Sequence, residues 1–304
     1  MSTHDVRAQA TRAGVIGLGI MGGAFAGHLA AAGVRTSGYD LLSANVVALS
    51  AQGGHGCSSA RAVAAEADIV ITSLPHSAAL ESALFAEEGV VAAGRSGLLV
   101  IETSTLSLED KERARARLAS AGVGMLDAPI SGTGPQAAAK DITIFASGDR
   151  GEFERARATL AHFARSLRYV GPFGTGSKMK FIANLLVAIH IVGAAEAIVL
   201  GEKAGLDPSM LVEVLADSAA TSRMLEVRGP SMATGAYATP MMKVDVFQKD
   251  LDIIAAFARQ SKCPVPLFSR AVPFFTEVAA QGMGLQDTAA VVSVLRSLAG
   301  MEAK

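Results

Sequence analysis

The spacing of apolar residues divides the chain into two parts that meet near residue 176. In the first part, short apolar runs rich in β-branched residues alternate with stretches of helical periodicity, a pattern typical of parallel strands joined by helices. The runs are continuously apolar, which indicates strands covered on both faces. The predicted strands cover residues 14–18, 34–39, 69–74 and 98–101, and a helix ending near Ala32 follows the first of them.

Further apolar runs at residues 125–128, 142–147 and 167–170 extend this pattern, with a helix predicted over residues 152–163. The alternation of strands and helices predicts an α/β fold, in which a Rossmann-type doubly wound parallel sheet forms the N-terminal domain.

The second part of the chain shows helical periodicity and no convincing strand. Its predicted helices cover residues 177–204, 208–218, 247–261, 265–281 and 287–298. The C-terminal domain is therefore predicted to be all-helical.

A run of glycines with one proline, residues 171–176, breaks regular structure just before the longest predicted helix. We therefore predict a loose N-terminal arm over residues 1–12, a Rossmann domain over residues 13–175 and a helical domain over residues 176–304. A site cleft is expected beside the glycine-rich run.

Composition and charge exclude several classes of protein. Half of the 304 residues are hydrophobic, and 27 basic residues nearly balance 28 acidic ones. No basic run is present to neutralise a phosphate backbone, so we expect no nucleic-acid partner. The two cysteines, Cys57 and Cys263, lie far apart and outside any metal-binding motif, which predicts no metal site, no disulfide framework and a reducing, cytoplasmic setting.

One segment, residues 181–200, is apolar and long enough to cross a bilayer. It contains Asn184, His190 and Glu196, and polar groups are costly inside hydrocarbon. We therefore predict a buried helix of a soluble protein and no membrane partner. The polar first five residues also give no indication of a signal peptide.

A GxGxxG motif directly follows the first predicted strand and opens a helix. Its residues are Gly17, Leu18, Gly19, Ile20, Met21 and Gly22. In a dinucleotide-binding loop, the first glycine allows the tight turn, the second lets the backbone approach the pyrophosphate, and the third lets the helix pack on the strand. The alternative is a set of ordinary turn glycines in another α/β protein.

Asp40 ends the second predicted strand, 18 residues after Gly22. An acidic side chain at this place accepts hydrogen bonds from the ribose hydroxyls and repels a 2′-phosphate. Leu41 and Leu42 follow it, with no arginine, so the sequence favours NAD over NADP as the cofactor.

Two other strand ends offer groups to the nicotinamide half of a cofactor. Leu74 and Pro75 end one strand and Thr105 follows the next, at the edge where open α/β sheets bind ligands. These residues are equally explained as loop and cap residues, and Ser107 with Asp110 three positions later has the spacing of a helix cap.

Lys180 and Asn184 stand four residues apart, on one face of the long helix that follows the glycine-rich run. Burial in a cleft would lower the pKa of such a lysine and let it exchange a proton with a substrate hydroxyl. The competing interpretation is that Lys178 and Lys180 are both solvated surface lysines.

Four stretches together resemble the β-hydroxyacid dehydrogenases, the family of 3-hydroxyisobutyrate dehydrogenase, tartronate semialdehyde reductase, glyoxylate/succinic semialdehyde reductase and threonate dehydrogenase. They are residues 15–22, 127–132, 174–184 and 249–251, and the resemblance covers nearly the whole chain. It implies a Rossmann domain followed by a helical domain like that of 6-phosphogluconate dehydrogenase, which forms homodimers or homotetramers.

The resemblance also implies roles for individual residues. Lys180 matches the catalytic lysine, Asn184 the asparagine beside it, and Lys249 a lysine that reaches cofactor and substrate. Ser131 and Gly132 match the residues that bind the substrate carboxylate, and Thr105 matches a nicotinamide contact. Where many members have Ser-Gly-Gly, this chain has Thr133 at the third position, and its side chain is expected to narrow or polarise the substrate pocket.

The function expected from these features is NAD-dependent interconversion of a small 3-hydroxy acid and its semialdehyde or keto acid, with a 3-hydroxyisobutyrate-like molecule or a four-carbon sugar acid as substrate. One alternative is an NADPH-preferring reductase of glyoxylate, succinic or tartronate semialdehyde. Another is a non-catalytic nucleotide-binding module, which the presence of Lys180 and Asn184 disfavours. The charge-rich residues 109–117 are predicted to form the solvated face of a helix.

Overall fold

The structure, a computed structural model, describes residues 11–301, which divide into two compact units; the first ends at Lys180 and the second begins at Phe181. Residues 1–10 of the predicted N-terminal arm lie outside the described residues. The first strand already begins at Arg12, the last residue of that predicted arm. The division lies within one long helix, five residues beyond the domain boundary that the sequence predicts.

The first unit is built on a six-stranded sheet in which every neighbouring pair of strands is parallel. The strand order is β3-β2-β1-β4-β5-β6, the order of the doubly wound dinucleotide-binding fold. The strands are β1 (Arg12–Ile16), β2 (Arg35–Tyr39), β3 (His55–Gly56), β4 (Ile69–Thr72), β5 (Leu99–Glu102) and β6 (Gly124–Asp127). The predicted Rossmann architecture is confirmed.

Seven α-helices accompany the strands of this unit. They are α1 (Ile20–Ala31), α2 (Ser43–Ala51), α3 (Ala60–Glu66), α4 (Ser77–Phe85), α5 (Leu108–Ser120), α6 (Gly134–Ala138) and α7 (Arg150–Ala161). Alternate strand residues belong to different apolar clusters, since Val15 packs into one cluster and Ile16 into another. The central sheet is therefore covered on both faces, which explains why its inner strands β4 and β5 are almost continuously apolar.

The last strands of the unit form a separate three-stranded sheet, made of β7 (Ile130–Ser131), β8 (Thr143–Ala146) and β9 (Ser166–Tyr169). β8 pairs antiparallel with β7 and parallel with β9. The sequence predicts β8 and β9 but not their membership of a second sheet. An isolated antiparallel bridge between Asp127 and Ser147 connects this region to the end of β6.

The second unit is helical, and its described residues contain no named strand. Its α-helices, counting the long helix that begins in the first unit, are α8 (Thr175–Lys203), α9 (Pro208–Ala216), α10 (Arg223–Thr234), α11 (Val244–Gln260), α12 (Pro266–Val278) and α13 (Val291–Leu298). The predicted helix over residues 265–281 ends at Val278, and a π-type turn with Gly282 at φ +78° follows it.

Helix α10 is absent from the sequence prediction because Gly229 and Pro230 lie within it. Ser222 nevertheless caps its start, accepting a hydrogen bond from the Leu225 amide at 3.1 Å. The glycine is a packing requirement, since a Cβ at Gly229 would lie 2.8 Å from Val212 Cγ1. Tertiary packing thus outweighs low helix propensity here.

Helix α8 has the length and composition of a membrane-spanning helix, but 44% of its most apolar 18-residue window is buried within the protein. From Phe181 onward its inward side forms the core of the helical unit, with Ile191 and Ile198 packed in the same cluster as Phe247 and Phe275. The buried side of α8 is therefore that of a core helix, whereas Ile182, Leu186 and Leu200 on its other side are exposed.

The prediction that residues 109–117 form a solvated helix face is wrong for Lys111. This residue lies in α5 and is fully buried, as are Ala114 and Leu118 on the same side of the helix. Arg113, in contrast, is exposed and forms an ion pair with Asp110. The sequence shows the charges of α5 but not that one of them points inward.

Candidate active site

The glycine loop between β1 and α1 has two positions that tolerate no side chain. Gly17 has φ +86°, and a Cβ there would lie 2.2 Å from the carbonyl oxygen of Ser73. A Cβ at Gly22 would lie 1.8 Å from the carbonyl oxygen of Gly17. These two glycines allow the turn and the close packing of α1 against it, as the motif predicts.

Gly19 differs from them because a Cβ at this position would meet no atom within 4 Å. It is exposed, and no side chain in the described part of the chain caps the start of α1. Ile20 is 75% exposed beside it, while Met21 is half-buried. An uncapped helix start beside an open, glycine-lined space fits the pyrophosphate of a dinucleotide, because backbone N–H groups and the helix dipole attract anions.

Asp40 follows β2 and accepts two backbone hydrogen bonds. The Leu18 amide donates to its Oδ2 atom at 2.7 Å, and the Leu42 amide donates to its Oδ1 atom at 2.8 Å. The carboxylate is thus held against the glycine loop, and its remaining lone pairs can accept hydrogen bonds from ribose hydroxyls. Leu41, 88% exposed beside it, offers an apolar surface.

The loops after β4 and β5 are joined at the carboxyl edge of the sheet. The Leu74 amide donates to Ser104 Oγ at 2.8 Å, and the preceding residue, Ser73, contacts the glycine loop. Pro75 is exposed and Thr105 is half-buried. The structure therefore brings the predicted nicotinamide contacts to one edge, together with the loop that contains Gly17.

The Ser131-Gly132-Thr133 segment leads from β7 into α6. Gly132 has φ +149°, and a Cβ there would lie 2.6 Å from Ile142 Cγ2, so this position also requires glycine. The Thr133 hydroxyl donates to Gln136 Oε1 at 3.1 Å. The Thr133 hydroxyl, which the Ser-Gly-Gly pattern lacks, is therefore hydrogen-bonded to a side chain in the first turn of α6.

The two lysines at the start of α8 differ in burial. Lys178 is exposed, whereas Lys180, two positions later, is half-buried. The interpretation of both as solvated surface lysines therefore fits Lys178 better than Lys180. Asn184 is buried one helical turn beyond Lys180, on the same face of α8.

In the second unit, Asp250 connects two of the predicted site residues. Asn184 Nδ2 donates to Asp250 Oδ2 at 2.8 Å, and Lys249 Nζ lies 3.3 Å from Asp250 Oδ1. Asp250 itself is buried in α11. Asp250 stands directly after Lys249 in a motif of the resemblance, but its type and spacing alone do not indicate this contact.

A buried ion pair at the start of α8 is a second feature that sequence reasoning missed. Lys111 Nζ donates to Asp127 Oδ1 at 2.9 Å, and both side chains are fully buried. Asp127 opens the 127–132 motif of the resemblance, but its charged partner lies 16 residues earlier in a charge-rich helix. Only the packing of α5 shows which of these charges is internal.

One cluster in the first unit contains three potential metal ligands, His55, Cys57 and Glu66. Their donor atoms lie within 4.8 Å of one another, and Arg35 lines the same cavity as His55 and Glu66. Burial, and secondarily the charge of Glu66, raise the pKa of the Cys57 thiol, which disfavours the thiolate form that binds metals. The Arg35 guanidinium adds repulsion toward a cation. We therefore assign no metal to this cluster.

The two halves of the chain match family models of known dehydrogenases. Residues 12–171 match the NAD binding domain of 6-phosphogluconate dehydrogenase. Residues 174–295 match the NAD-binding domain of NADP-dependent 3-hydroxyisobutyrate dehydrogenase. The chain belongs to the β-hydroxyacid dehydrogenase family.

Curated members of this family align along nearly the whole chain. An L-threonate dehydrogenase from Cupriavidus necator is 38% identical over 282 residues, covering 92% of this chain and 95% of the relative. A 2-(hydroxymethyl)glutarate dehydrogenase from Eubacterium barkeri is 31% identical over 288 residues, covering 95% and 96%. A 3-hydroxyisobutyrate dehydrogenase structure from Salmonella typhimurium has a TM-score of 0.85 at 34% identity, covering 93% and 99%.

Family membership and the matched nucleotide-binding domain establish the reaction class. The protein is an NAD(P)-dependent oxidoreductase of 3-hydroxy acids.

The glycine loop gives a test that separates cofactor binding from folding. The substitution Gly19→Ala places a methyl group in open space, so the melting temperature is expected to stay within about 2 °C of wild type, a shift of at most about 1 kcal/mol. The dissociation constant for NADH, measured by fluorescence titration, is expected to rise about tenfold, equivalent to ~1.4 kcal/mol.

Two further variants complete this test. Gly22→Ala is expected to lower the melting temperature because its Cβ would collide with Gly17. Gly193→Ala, which also adds a methyl group in open space but lies in the second unit, is the control for NADH binding and is expected to leave the dissociation constant unchanged; its melting temperature is expected to rise slightly, because alanine favours a helix over glycine. Unchanged NADH binding by Gly19→Ala would show that the loop does not hold the pyrophosphate.

Proposed function

We propose that this protein oxidises a small 3-hydroxy acid with NAD, and that Lys180 is its general acid/base. The observation that carries the proposal is the half-buried position of Lys180 in the first turns of α8, one helical turn before Asn184. A lysine at this place, beside an amide on the same helix face, suits proton exchange with a bound hydroxyl group.

The proton step follows from the chemistry of the lysine. In the oxidation direction, the neutral Lys180 amine accepts the proton of the substrate hydroxyl; in the reverse direction, the ammonium group donates a proton to the carbonyl oxygen. When bound, the nicotinamide cofactor would supply the hydride acceptor for oxidation, or the hydride donor for reduction, at the substrate carbon that bears this oxygen. Asn184 orients the substrate or the lysine through its amide, and its hydrogen bond to Asp250 fixes that amide.

The proposed substrate contacts place the carboxylate on the segment between β7 and α6. Ser131 donates its hydroxyl and Gly132 its backbone N–H, and the glycine conformation at Gly132 supports such a close backbone approach. Thr133 narrows the pocket beside them. Lys249 adds a positive charge toward the anionic substrate and the cofactor.

The proposed cofactor contacts follow the geometry of the first unit. The residues Gly17, Leu18, Gly19, Ile20, Met21 and Gly22 hold the pyrophosphate, Asp40 binds the ribose, and Leu74, Pro75 and Thr105 line the nicotinamide site. The Asp40 carboxylate would repel a 2′-phosphate, which supports NAD rather than NADP.

The proposed substrate class is a four-carbon sugar acid or a 3-hydroxyisobutyrate-like acid. Support comes from the named activities of the L-threonate and 3-hydroxyisobutyrate dehydrogenases that resemble the chain over nearly its whole length. Both molecules place a hydroxyl group on the carbon β to a carboxylate, so one set of carboxylate contacts and one proton-transferring lysine suits either of them.

The substitution Lys180→Ala is expected to lower kcat about a thousandfold while leaving the dissociation constant for NADH unchanged, because it removes the proton acceptor but no cofactor contact. Turnover is measured by nicotinamide absorbance with L-threonate, 3-hydroxyisobutyrate, 2-(hydroxymethyl)glutarate and the corresponding semialdehydes. Lys178→Ala is the matched control, since Lys178 is exposed on the same helix and its loss is expected to change kcat less than about twofold.

Full activity of Lys180→Ala would refute the assignment of the lysine. Turnover confined to semialdehydes with NADPH would instead identify the protein as a semialdehyde reductase.

The preference for NAD is tested with Asp40→Asn, which keeps the shape of the side chain but removes its charge. The ratio of kcat/KM for NAD to that for NADP is expected to fall at least about tenfold, because the 2′-phosphate no longer meets a carboxylate. Asp207→Asn is the control, since Asp207 also accepts a backbone N–H at 2.7 Å but caps α9 in the second unit. A wild-type preference for NADP would contradict the proposal.

We also propose that the protein is a cytoplasmic homodimer or homotetramer. Apolar side chains exposed on α8 and α9 support an association surface, among them Ile182, Leu186, Leu200 and Val214. The free thiols of Cys57 and Cys263 are compatible with a reducing compartment. Sedimentation is expected to give two or four times the subunit mass of 31.1 kDa, and a monomer at micromolar concentration would contradict this. Cell fractionation checks the compartment.

A further inference from the structure

The first turn of α8 is held by side chains from the ends of two strands. The Gly176 amide donates to Ser147 Oγ at 2.9 Å, and the Ser177 amide donates to Asp127 Oδ2 at 2.7 Å. The Ser177 hydroxyl donates to Asp127 Oδ1 at 2.7 Å. These contacts satisfy two backbone N–H groups that a helix start otherwise leaves without partners.

Close packing fixes the same turn sterically. A Cβ at Gly176 would lie 2.2 Å from the carbonyl oxygen of Phe145 and 2.9 Å from that of Asp127. The start of α8 is therefore pressed against the backbone at the ends of β6 and β8, with no room for a side chain between them.

Lys111 neutralises the carboxylate that holds this turn. Its Nζ atom lies 2.9 Å from Asp127 Oδ1 and 3.9 Å from Glu102 Oε1, and all three side chains are fully buried. Asp127 and Glu102 therefore share one ammonium group, and Asp127 also faces the positive end of the α8 dipole. This combination balances the buried charges.

Lys111 also contacts the loop after β5, at the edge of the sheet where this loop meets the loop after β4. Its Nζ atom donates to the Ser104 carbonyl oxygen at 2.7 Å. Ser104 in turn donates its amide to Glu102 Oε1 at 2.6 Å and accepts the Leu74 amide on its hydroxyl. The start of α8 and the proposed nicotinamide edge are thus connected through one buried side chain.

We propose that Asp127 is a positioning residue for Lys180, and that Lys111 ties this positioning to the nicotinamide edge. Lys180 stands three residues after Ser177, less than one helical turn, so the contacts of Asp127 set the place of the lysine backbone. The inference rests on the proposed role of Lys180. Asp127 acts through the helix and takes no part in proton transfer.

The variant Asp127→Asn isolates this role. Each carboxylate oxygen of Asp127 accepts two hydrogen bonds. Oδ1 accepts from the Lys111 ammonium and the Ser177 hydroxyl, and Oδ2 accepts from the Ser177 amide and the Ser147 hydroxyl. An asparagine NH₂ group at either position faces one group that can only donate, the Lys111 ammonium or the Ser177 amide, so the first turn of α8 must shift. A displacement of about 1 Å at a reacting group lowers turnover about 100-fold.

The primary experiment measures kcat, the NADH dissociation constant and the deuterium isotope effect on hydride transfer. For Asp127→Asn we expect kcat to fall about 100-fold, NADH binding to change less than about twofold and the isotope effect to rise, because the misplaced lysine slows the chemical step. For Ser177→Ala, which keeps the amide contact and loses only the hydroxyl contact, a decrease of about tenfold is expected.

Asp287→Asn is the matched control. Asp287 is also buried, accepts backbone N–H groups on both oxygens and lies 3.4 Å from the buried Arg228, but it belongs to the second unit and its hydrogen bonds are made within that unit. Its loss is expected to lower the melting temperature without changing the isotope effect. An equal change of kcat and isotope effect in Asp127→Asn and Asp287→Asn would overturn the proposal.

Amide hydrogen exchange provides a measurement that needs no substrate. Exchange of residues 175–181 is expected to accelerate at least about tenfold in Asp127→Asn and to stay unchanged in Asp287→Asn. Unchanged exchange would overturn the positioning role even if Lys180→Ala is inactive. If Lys180→Ala retains activity, the proposed catalytic role fails, while the exchange result still decides whether Asp127 fixes the helix start.

Discussion

The buried ion pair of Lys111 and Asp127 is the interaction on which the arrangement of the first unit depends. Removing one partner of such a pair typically costs about 3–5 kcal/mol, because the other charge stays buried and uncompensated. Four elements meet at this pair: α5, the end of β6, the second sheet through Ser147, and the start of α8. A change in any one of them is therefore transmitted to the carboxyl edge of the main sheet.

The features predicted from sequence are those with local causes. Gly22 is required by its contact with Gly17 in the same loop, and Gly17 by its positive φ as well as by the carbonyl oxygen of Ser73 after β4. The turn itself is local, so the spacing of the glycines is sufficient to find the loop. Asp40 was found because the end of a strand is visible in the sequence, although its two backbone hydrogen bonds are not. The strands β4 and β5 follow from their nearly continuous apolar composition, whereas the two-residue edge strand β3 (His55–Gly56) has no apolar run and is absent from the sequence prediction.

The features missed from sequence depend on contacts between distant segments. The inward direction of Lys111 is decided by the packing of α5 against the sheet, and its partner lies 16 residues away. Helix α10 forms despite Pro230 because its apolar side, with Leu225 and Met232, packs in the core of the helical unit. The pairing of β8 with β7 and β9 in a separate sheet likewise follows from topology, which strand composition does not encode.

Two carboxylates hold α8 on either side of Lys180 along the helix. Asp127 holds Ser177, three residues before the lysine, and Asp250 holds Asn184, four residues after it. These two contacts restrict the backbone of Lys180. Their role is to position the lysine, and such positioning does not distinguish one 3-hydroxy acid from another. Differences in substrate among members of the family must therefore arise elsewhere. The segment that contains Thr133 is the place where this chain departs from the family pattern, and it is where we expect substrate selection to reside.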